Sequence, residues 1–406
     1  DDCSSRGLGD VYKRQDTSQG TLILANGPSG ANQGLASNYT LTGGTQDYTI
    51  TQRVLSSSGS KAYDANTNAL AADITLSNLV SGETLNHSGT ASISSANAAS
   101  YTITNLAGIT LADNAGLASN YTLTGGTHNF TVNPKVISLS GSRLYDATTD
   151  AVASDLTTIS GLVGSETLNL SGTGSVTNAN VASNKTVTLG TLALADNSGL
   201  ASNYTLSGGT HQLTVDKRPL AATIARQYDG TKTVAGSDLS SFDALQGGET
   251  LTLSGSGTVG DENVANGQGV TLGTLALVDG TGLASNYSLN SASLNITQRV
   301  LTSSGSKTYD ANTNALAGAI TLSNLVSGEA LNHSGTAAIS SANAGSYTIT
   351  NLAGITIADG SGGAASNYTL TGGTHNFTVN PKVISLSGSR LYDATTDAVA
   401  SDLTTI

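Results

Sequence analysis

The chain has 406 residues, with 28 acidic and 16 basic side chains and a net charge of −12. Charged residues make up only 11%, there is no Met or Trp, and the single cysteine is Cys3. The balance excludes the basic footprint of a nucleic-acid binder, and the lone cysteine excludes a disulfide framework and a thiolate metal cage.

The chain opens on a segment unlike the rest. Residues 1–15 read DDCSSRGLGDVYKRQ. Asp10–Gln15 is what GAT GTG TAT AAG AGA CAG encodes, a string that matches a transposon end used to fragment DNA for sequencing. Residues 1–15 are therefore read as a sequencing-adapter artefact and set aside from fold reasoning. The last string, DLTTI (Asp402–Ile406), also occurs inside the chain at Asp155–Ile159, so the sequence reads as an internal fragment of a longer protein. No apolar run approaches the roughly 18 residues of a membrane-spanning helix. Low hydrophobicity alone would allow disorder, but the apolar residues are patterned.

From residue 16 onward the sequence repeats. Tyr-Asp falls at Tyr63-Asp64, Tyr145-Asp146, Tyr228-Asp229, Tyr309-Asp310 and Tyr392-Asp393, in nearly equal steps. Asn-Tyr falls at Asn38-Tyr39, Asn120-Tyr121, Asn203-Tyr204, Asn286-Tyr287 and Asn367-Tyr368. Glu83, Glu166, Glu249 and Glu329 mark a third recurring position. The landmarks keep one step and define a unit of about 82 residues. It gives the C-terminal part of a truncated repeat over 16–52, repeat 1 over 53–134 and repeat 2 over 135–217. Repeat 3 covers 218–298, repeat 4 covers 299–381, and 382–406 is the N-terminal part of a further truncated repeat. Pro134, Pro219 and Pro381 lie at the junctions, where a residue with fixed φ and no donor N–H is tolerated. Ala118–Ile159 and Ala365–Ile406 are identical throughout, which points to recent duplication in blocks.

Within repeat 1, strand-like alternation runs through RVLSSSG, ADITLSNLV, ETLNHSGTASIS, SYTITNLAGITLA and NYTLTGGTHNFTV. Gly, Asn, Asp and Ser clusters separate the runs. The alanines near Ala69–Ala72 form the only weak helical candidate. Five or more short strands in each unit predict an all-β fold, a tandem array of small immunoglobulin-like β-sandwiches, with a β-solenoid as the alternative. A domain this small is marginal alone and gains from its neighbours.

These residues resemble the YDG-type and related MBG-type repeats of large bacterial surface adhesins of the filamentous-haemagglutinin-like kind. The resemblance is carried by YDGTKTV (Tyr228–Val234) and its variants YDANTNA and YDATTDA. The Gly-Glu-Thr-Leu element, Asn180-Val181, Asn263-Val264 and the closing Asn-Tyr-Thr/Ser-Leu carry it further. Only repeat 3 keeps Tyr-Asp-Gly; the others place Ala after Asp. The resemblance implies a surface stalk or adhesin at the extracellular or outer-membrane surface of a bacterium, without enzymatic activity.

No catalytic constellation is legible. His87, His128, His211, His333 and His375 stand singly and read as exposed strand residues. Asp113, Asp196, Asp279 and Asp359 lie in loops before each Asn-Tyr. Each loop offers one carboxylate, so Asx-turns outweigh calcium ligation, with Asp146 and Asp150 as helpers if calcium binds between domains. The tyrosines at Tyr-Asp and Asn-Tyr read as core residues whose hydroxyls bond to nearby backbone, against a sugar-stacking alternative. The Asp after each first Tyr caps its own turn. Asn-Tyr-Thr/Ser is also a glycosylation sequon, as are Asn129-Phe130-Thr131 and Asn376-Phe377-Thr378.

Two functions compete at this stage. The repeats are a passive stalk projecting a distal binding region, or each binds a host, matrix or glycan ligand weakly and the array acts by avidity. The absence of an exposed aromatic or charged cluster favours the stalk. An accessory module of an extracellular enzyme is a third class, requiring a catalytic domain elsewhere.

Overall fold

The structure is a computed structural model describing residues 23–26, 35–42 and 49–406. The segment 1–15, read above as a sequencing adapter, lies outside the described residues. By backbone contacts the chain parts into two compact units within repeat 2. The first runs up to Gly141 and takes in Asp150–Val176 and Thr186–Leu213. The second comprises Ser142–Thr149, Thr177–Lys185 and Thr214–Ile406.

Repeat 1, in the first unit, shows the plan. Its strands are β1 (Arg53–Val54), β2 (Ser56–Ala62), β3 (Asn68–Leu70), β4 (Ile74–Ser77), β5 (Asn86–Ser92), β6 (Ala99–Thr102), β7 (Ile109–Ala112), β8 (Tyr121–Thr122) and β9 (His128–Asn133). One sheet has the order β4-β2-β9-β6, and a second has the order β3-β5-β7. β2 runs parallel to β9, with Ser57 opposite His128 and Ala62 opposite Asn133. β1 likewise runs parallel to β8. The two long runs SYTITNLAGITLA and NYTLTGGTHNFTV each form two strands, because an Asn-Leu-Ala-Gly and a Gly-Gly turn interrupt them. The helical candidate at Ala69–Ala72 is the end of β3 followed by a 3-10 turn at Ala71–Asp73.

The second unit repeats the plan. In repeat 3, Arg218–Gln227 pairs in parallel with Tyr287–Thr297 and antiparallel with Leu239–Phe242. In repeat 4, Thr302–Thr308 lies parallel to His375–Asn380, and Asn314–Leu316, Leu331–Ala338 and Ile355–Asp359 form the facing sheet. Phe377 and Val379 of one sheet share a buried cluster with Ala315, Ala337 and Ile355 of the other. The repeats are therefore two-layer sandwiches, as the alternation predicts, and not coils of a solenoid. In β9 the alternation is strict, with Phe130 0% and Val132 1% exposed. β2 is polar and small because it passes beneath that ring. A Cβ on Gly59 would lie 2.4 Å from the Asp73 carbonyl oxygen and 2.8 Å from the Phe130 ring.

Candidate functional site: the joint between repeats

The Tyr-Asp landmark closes the first long strand of each repeat. Asp64 Oδ1 accepts the Asn66 amide at 3.1 Å, and Lys61 Nζ sits 2.8 Å from the same carboxylate. Burial works against the charge on Asp64, but the Lys61 ammonium and the Asn66 amide outweigh it and hold the carboxyl below its usual value. Arg226 with Asp229 at 2.8 Å, and Lys307 with Asp310 at 2.9 Å, repeat the arrangement, as do Arg143 with Asp146 and Arg390 with Asp393. The residue after Asp is left-handed in every copy: φ is 61° at Ala65, 63° at Ala147, 61° at Ala311, 65° at Ala394 and 73° at Gly230. Alanine there carries about 1 kcal/mol of strain that glycine avoids. Ala147→Gly removes that strain while adding about 0.4–1 kcal/mol of unfolded-chain entropy, so the expected net stabilisation is small, at most about 0.5 kcal/mol. Thermal unfolding checks this, and a lowered midpoint would contradict it.

This turn holds a tyrosine against the next repeat. Tyr63 donates its hydroxyl to Glu166 Oε1 at 2.6 Å, far along the chain but within the first unit. Glu166 Oε2 accepts the hydroxyl of Tyr204 at 2.6 Å, and the Tyr204 oxygen in turn accepts the Val163 amide at 3.0 Å. The two rings meet edge to face at 5.3 Å. The second unit contains the same clasp twice. Tyr145 and Tyr287 flank Glu249 at 2.5 and 2.6 Å, and Tyr228 and Tyr368 flank Glu329 at 2.6 Å each. Their ring pairs lie at 5.3 and 5.5 Å.

The asparagine before the second tyrosine completes the joint. Asn203 Oδ1 accepts the Ala98 amide at 2.8 Å, and its Nδ2 donates to Asn97 Oδ1 at 3.0 Å. Asn286 does the same with Val181 and Asn180, and Asn367 with Val264 and Asn263. Asn203, Asn286 and Asn367 are each only 1% exposed. A polar group so deeply buried costs free energy unless bonded, and here both ends of the amide are bonded. In the second unit a guanidinium adds a further tie: Arg218 Nη1 donates to the Tyr145 carbonyl at 3.2 Å and Arg299 Nη1 to that of Tyr228 at 3.3 Å. Apolar contact is continuous across the last joint, where Tyr228 of repeat 3 shares one buried cluster with Leu301 and Tyr368 of repeat 4.

Where no neighbouring repeat arrives among the described residues, the same positions are open. Tyr309 is 40% exposed and Tyr392 94%, against 3–5% for Tyr63, Tyr145 and Tyr228. Asn120 is exposed, although Tyr121 keeps its own bond to Glu83 and accepts the Val80 amide at 3.1 Å. The environment of the docked tyrosines favours their neutral form. Burial first, and the hydroxyl's bond to the glutamate second, push Tyr63, Tyr287 and Tyr368 up to about 12, and Tyr145 and Tyr228 higher still. Tyr204 is raised by the same two causes in the same order.

The other candidates fall outside this joint. Asp113, Asp196, Asp279 and Asp359 each accept a backbone amide on Oδ1 at 2.7 Å, that of Ala118, Ala201, Ala284 and Ala365 respectively. That bond reaches further along the chain than the Asx-turn expected of them. Among the described residues no group of three or more His, Cys, Asp or Glu gathers around a potential metal position. His128, His211 and His375 are 3%, 6% and 2% exposed, which corrects the expectation of exposed histidines. They share parity with the buried positions of the last strand. His128 Nδ1 lies 2.9 Å from Ser57 Oγ and its Nε2 lies 2.8 Å from the Leu123 carbonyl oxygen, so the ring is satisfied at both nitrogens. His87 and His333 reach the Ile74 and Ile320 carbonyl oxygens at 2.9 Å each. No described helix is long and apolar enough to cross a membrane.

The sequence assigns no structural task to the glutamates, and reads the asparagines only as landmarks and sequons. Their recurrence is visible, but a partner lying in the next repeat leaves no local pattern. The tyrosine hydroxyls are expected on nearby backbone; the second of each pair does take a backbone amide, while the first reaches the neighbouring repeat.

Fold and joint together define a tandem array of β-sandwiches coupled by a repeated Tyr-Glu-Tyr and Asn-Asn contact. The YDG domain model matches residues 51–129, 127–212, 211–295 and 293–376, and the chain belongs to that family. A search of curated proteins finds no match. Among solved structures, the pilus adhesin SpaC from Lactobacillus rhamnosus GG in its open conformation is similar at 10% identity and a TM-score of 0.16. The match covers 71% of this chain and 48% of that one, so the chain spans about half the adhesin's length. Drosophila N-cadherin EC1-4 matches at 7% identity and a TM-score of 0.14, covering 80% and 98% of the two chains. The Bacillus anthracis TIE protein matches at 7% and 0.18, covering 83% and 69%. Likenesses of this degree decide nothing about fold or activity.

Proposed function

We propose that the repeats are the non-catalytic stalk of a secreted or surface-attached bacterial adhesin, holding a distal binding region away from the cell. The supporting observation is that the recurring Tyr, Glu and Asn side chains are spent on coupling one repeat to the next. The three docked Tyr-Asp tyrosines are 3–5% exposed, which leaves their rings no free face for a sugar. Coupled repeats give reach at low cost in chain entropy, which is what a spacer requires. The competing reading, weak binding by every repeat, draws support from one recurring exposed side chain. Leu117, Leu200 and Leu283 stand in equivalent loops, 42–56% exposed.

Binding of the chain to arrays of glycans and immobilised matrix proteins separates the two. The stalk reading expects no binding above background. Binding that strengthens steeply from one repeat to four would overturn it in favour of avidity.

A further inference from the structure

Repeats 1, 3 and 4 each begin and end on neighbouring parallel strands. In repeat 1 the first strand, β1 and β2, lies against the last, β8 and β9, from Arg53 opposite Tyr121 to Ala62 opposite Asn133. Three further backbone bonds close the ladder: Leu55 to the Thr122 carbonyl at 2.8 Å, Ser57 to that of Thr127 at 3.0 Å and Tyr63 to that of Asn133 at 2.9 Å. Repeat 3 pairs Arg218–Gln227 with Tyr287–Thr297 over their length, with one irregularity between Leu220 and Ala221. Repeat 4 pairs Ser303 through Thr308 with His375 through Asn380. In all three, both strands are interior to a four-stranded sheet, flanked on each side by an antiparallel neighbour.

Tension on the two ends of such a repeat pulls the first strand toward its N-terminus and the last toward its C-terminus. The strands are parallel, so these pulls are opposed along one shared ladder. Every N–H···O bond is then strained in shear at the same moment. An antiparallel terminal hairpin would instead part bond by bond from its open end. In repeats 1 and 4 the polar, small-residue first strand is held by its place between two strands and by the Phe130 or Phe377 ring across it, whose neighbour is Gly59 or Gly305. In repeat 3 the first strand is held by its place and by its own buried Leu220, Ala222 and Ile224.

We infer that each of these repeats is a shear clamp, and that the array has the further function of carrying tension between whatever is joined to its two ends. This rests on the stalk reading, since a passive spacer on a surface is pulled whenever its distal region is held.

Single-molecule pulling on the full chain tests it in two geometries. Pulled through its termini, the chain should yield in discrete steps, each releasing on the order of 250 Å as one repeat extends. Pulled through cysteines placed at Ser56 and Ser77 in a Cys3→Ser background, β2 and β4 part from their open end, where Ser56 faces Ser77. The expected force in this second geometry is severalfold lower. Equal forces in the two geometries would overturn the clamp and leave the stalk reading intact. A chain that binds ligand through its repeats yet resists end-to-end pulling would overturn the stalk and leave the clamp standing.

Discussion

Glu329→Ala is expected to uncouple repeat 3 from repeat 4. The carboxylate accepts two tyrosine hydroxyls, from Tyr228 and Tyr368, at 2.6 Å each. Both rings are buried, at 4% and 1% exposure, so truncation leaves two hydroxyls short of a partner. Hydrogen bonds to a charged acceptor contribute about 1.5–3 kcal/mol each, and the loss here is about 3 kcal/mol because Tyr368 keeps its bond from the Val326 amide. The Val264 amide, which donates to Asn367 across the same joint, reports the opening. Its hydrogen exchange should speed up roughly a hundredfold, while amides of the core around Phe377 keep their protection. Glu329→Gln should cost about half as much, since one amide oxygen can still accept but the nitrogen cannot. Exchange at Val264 unchanged by Glu329→Ala would mean the clasp is ornament rather than coupling.

The second large effect is alkaline unfolding. In the docked joints burial and the neighbouring glutamate both favour the neutral phenol, with Tyr63, Tyr287 and Tyr368 pushed up to about 12. An unfolded tyrosine ionises near 10. The folded value is raised above the unfolded one, so the stabilisation is fully present below about pH 10 and is lost as pH rises toward about 12. Strand circular dichroism and the tyrosinate absorbance that belongs to the docked pairs should therefore change together and cooperatively in that window. Glu329→Gln removes the second cause of the shift at Tyr228 and Tyr368 and should move the onset lower. Docked tyrosines that ionise near 10 while the strands persist would show that the joints are open in solution.

Much of the fold is legible in the sequence because its signals are local. The strict alternation of His-Asn-Phe-Thr-Val marks the last strand, and the Gly and Asn clusters mark its turns. The two long runs read as single strands because Asn105-Leu106-Ala107-Gly108 and Thr124-Gly125-Gly126 turn the chain without breaking the apolar count. The histidines mislead for the opposite reason: His128 sits in phase with Phe130 and Val132, and phase outweighs polarity when both ring nitrogens find partners. The joint is the least legible part. Tyr228, Glu329 and Tyr368 recur with the repeat, yet nothing in their spacing says that the first belongs to one domain's face and the others to the next. The same holds for Asn263 and Asn367, which meet across the joint. Periodicity reveals that residues recur; only docking shows that a residue's partner is one repeat away. One further consequence concerns the sequons. Asn203, Asn286 and Asn367 use both amide atoms within the joints, so a glycan there requires an open joint, whereas Asn129 and Asn376 are exposed on the last strand.

The most direct test of the coupling between repeats is a double-mutant cycle across one joint. Tyr228→Phe and Glu329→Gln would be made singly and together in the full chain, with the opening free energy read from exchange of the Val264 amide. A clasp that couples repeat 3 to repeat 4 predicts a coupling energy of about 1–2 kcal/mol between these two residues of different repeats. Effects that simply add, within about 0.3–0.5 kcal/mol, would contradict it and leave the repeats as independent domains on a string.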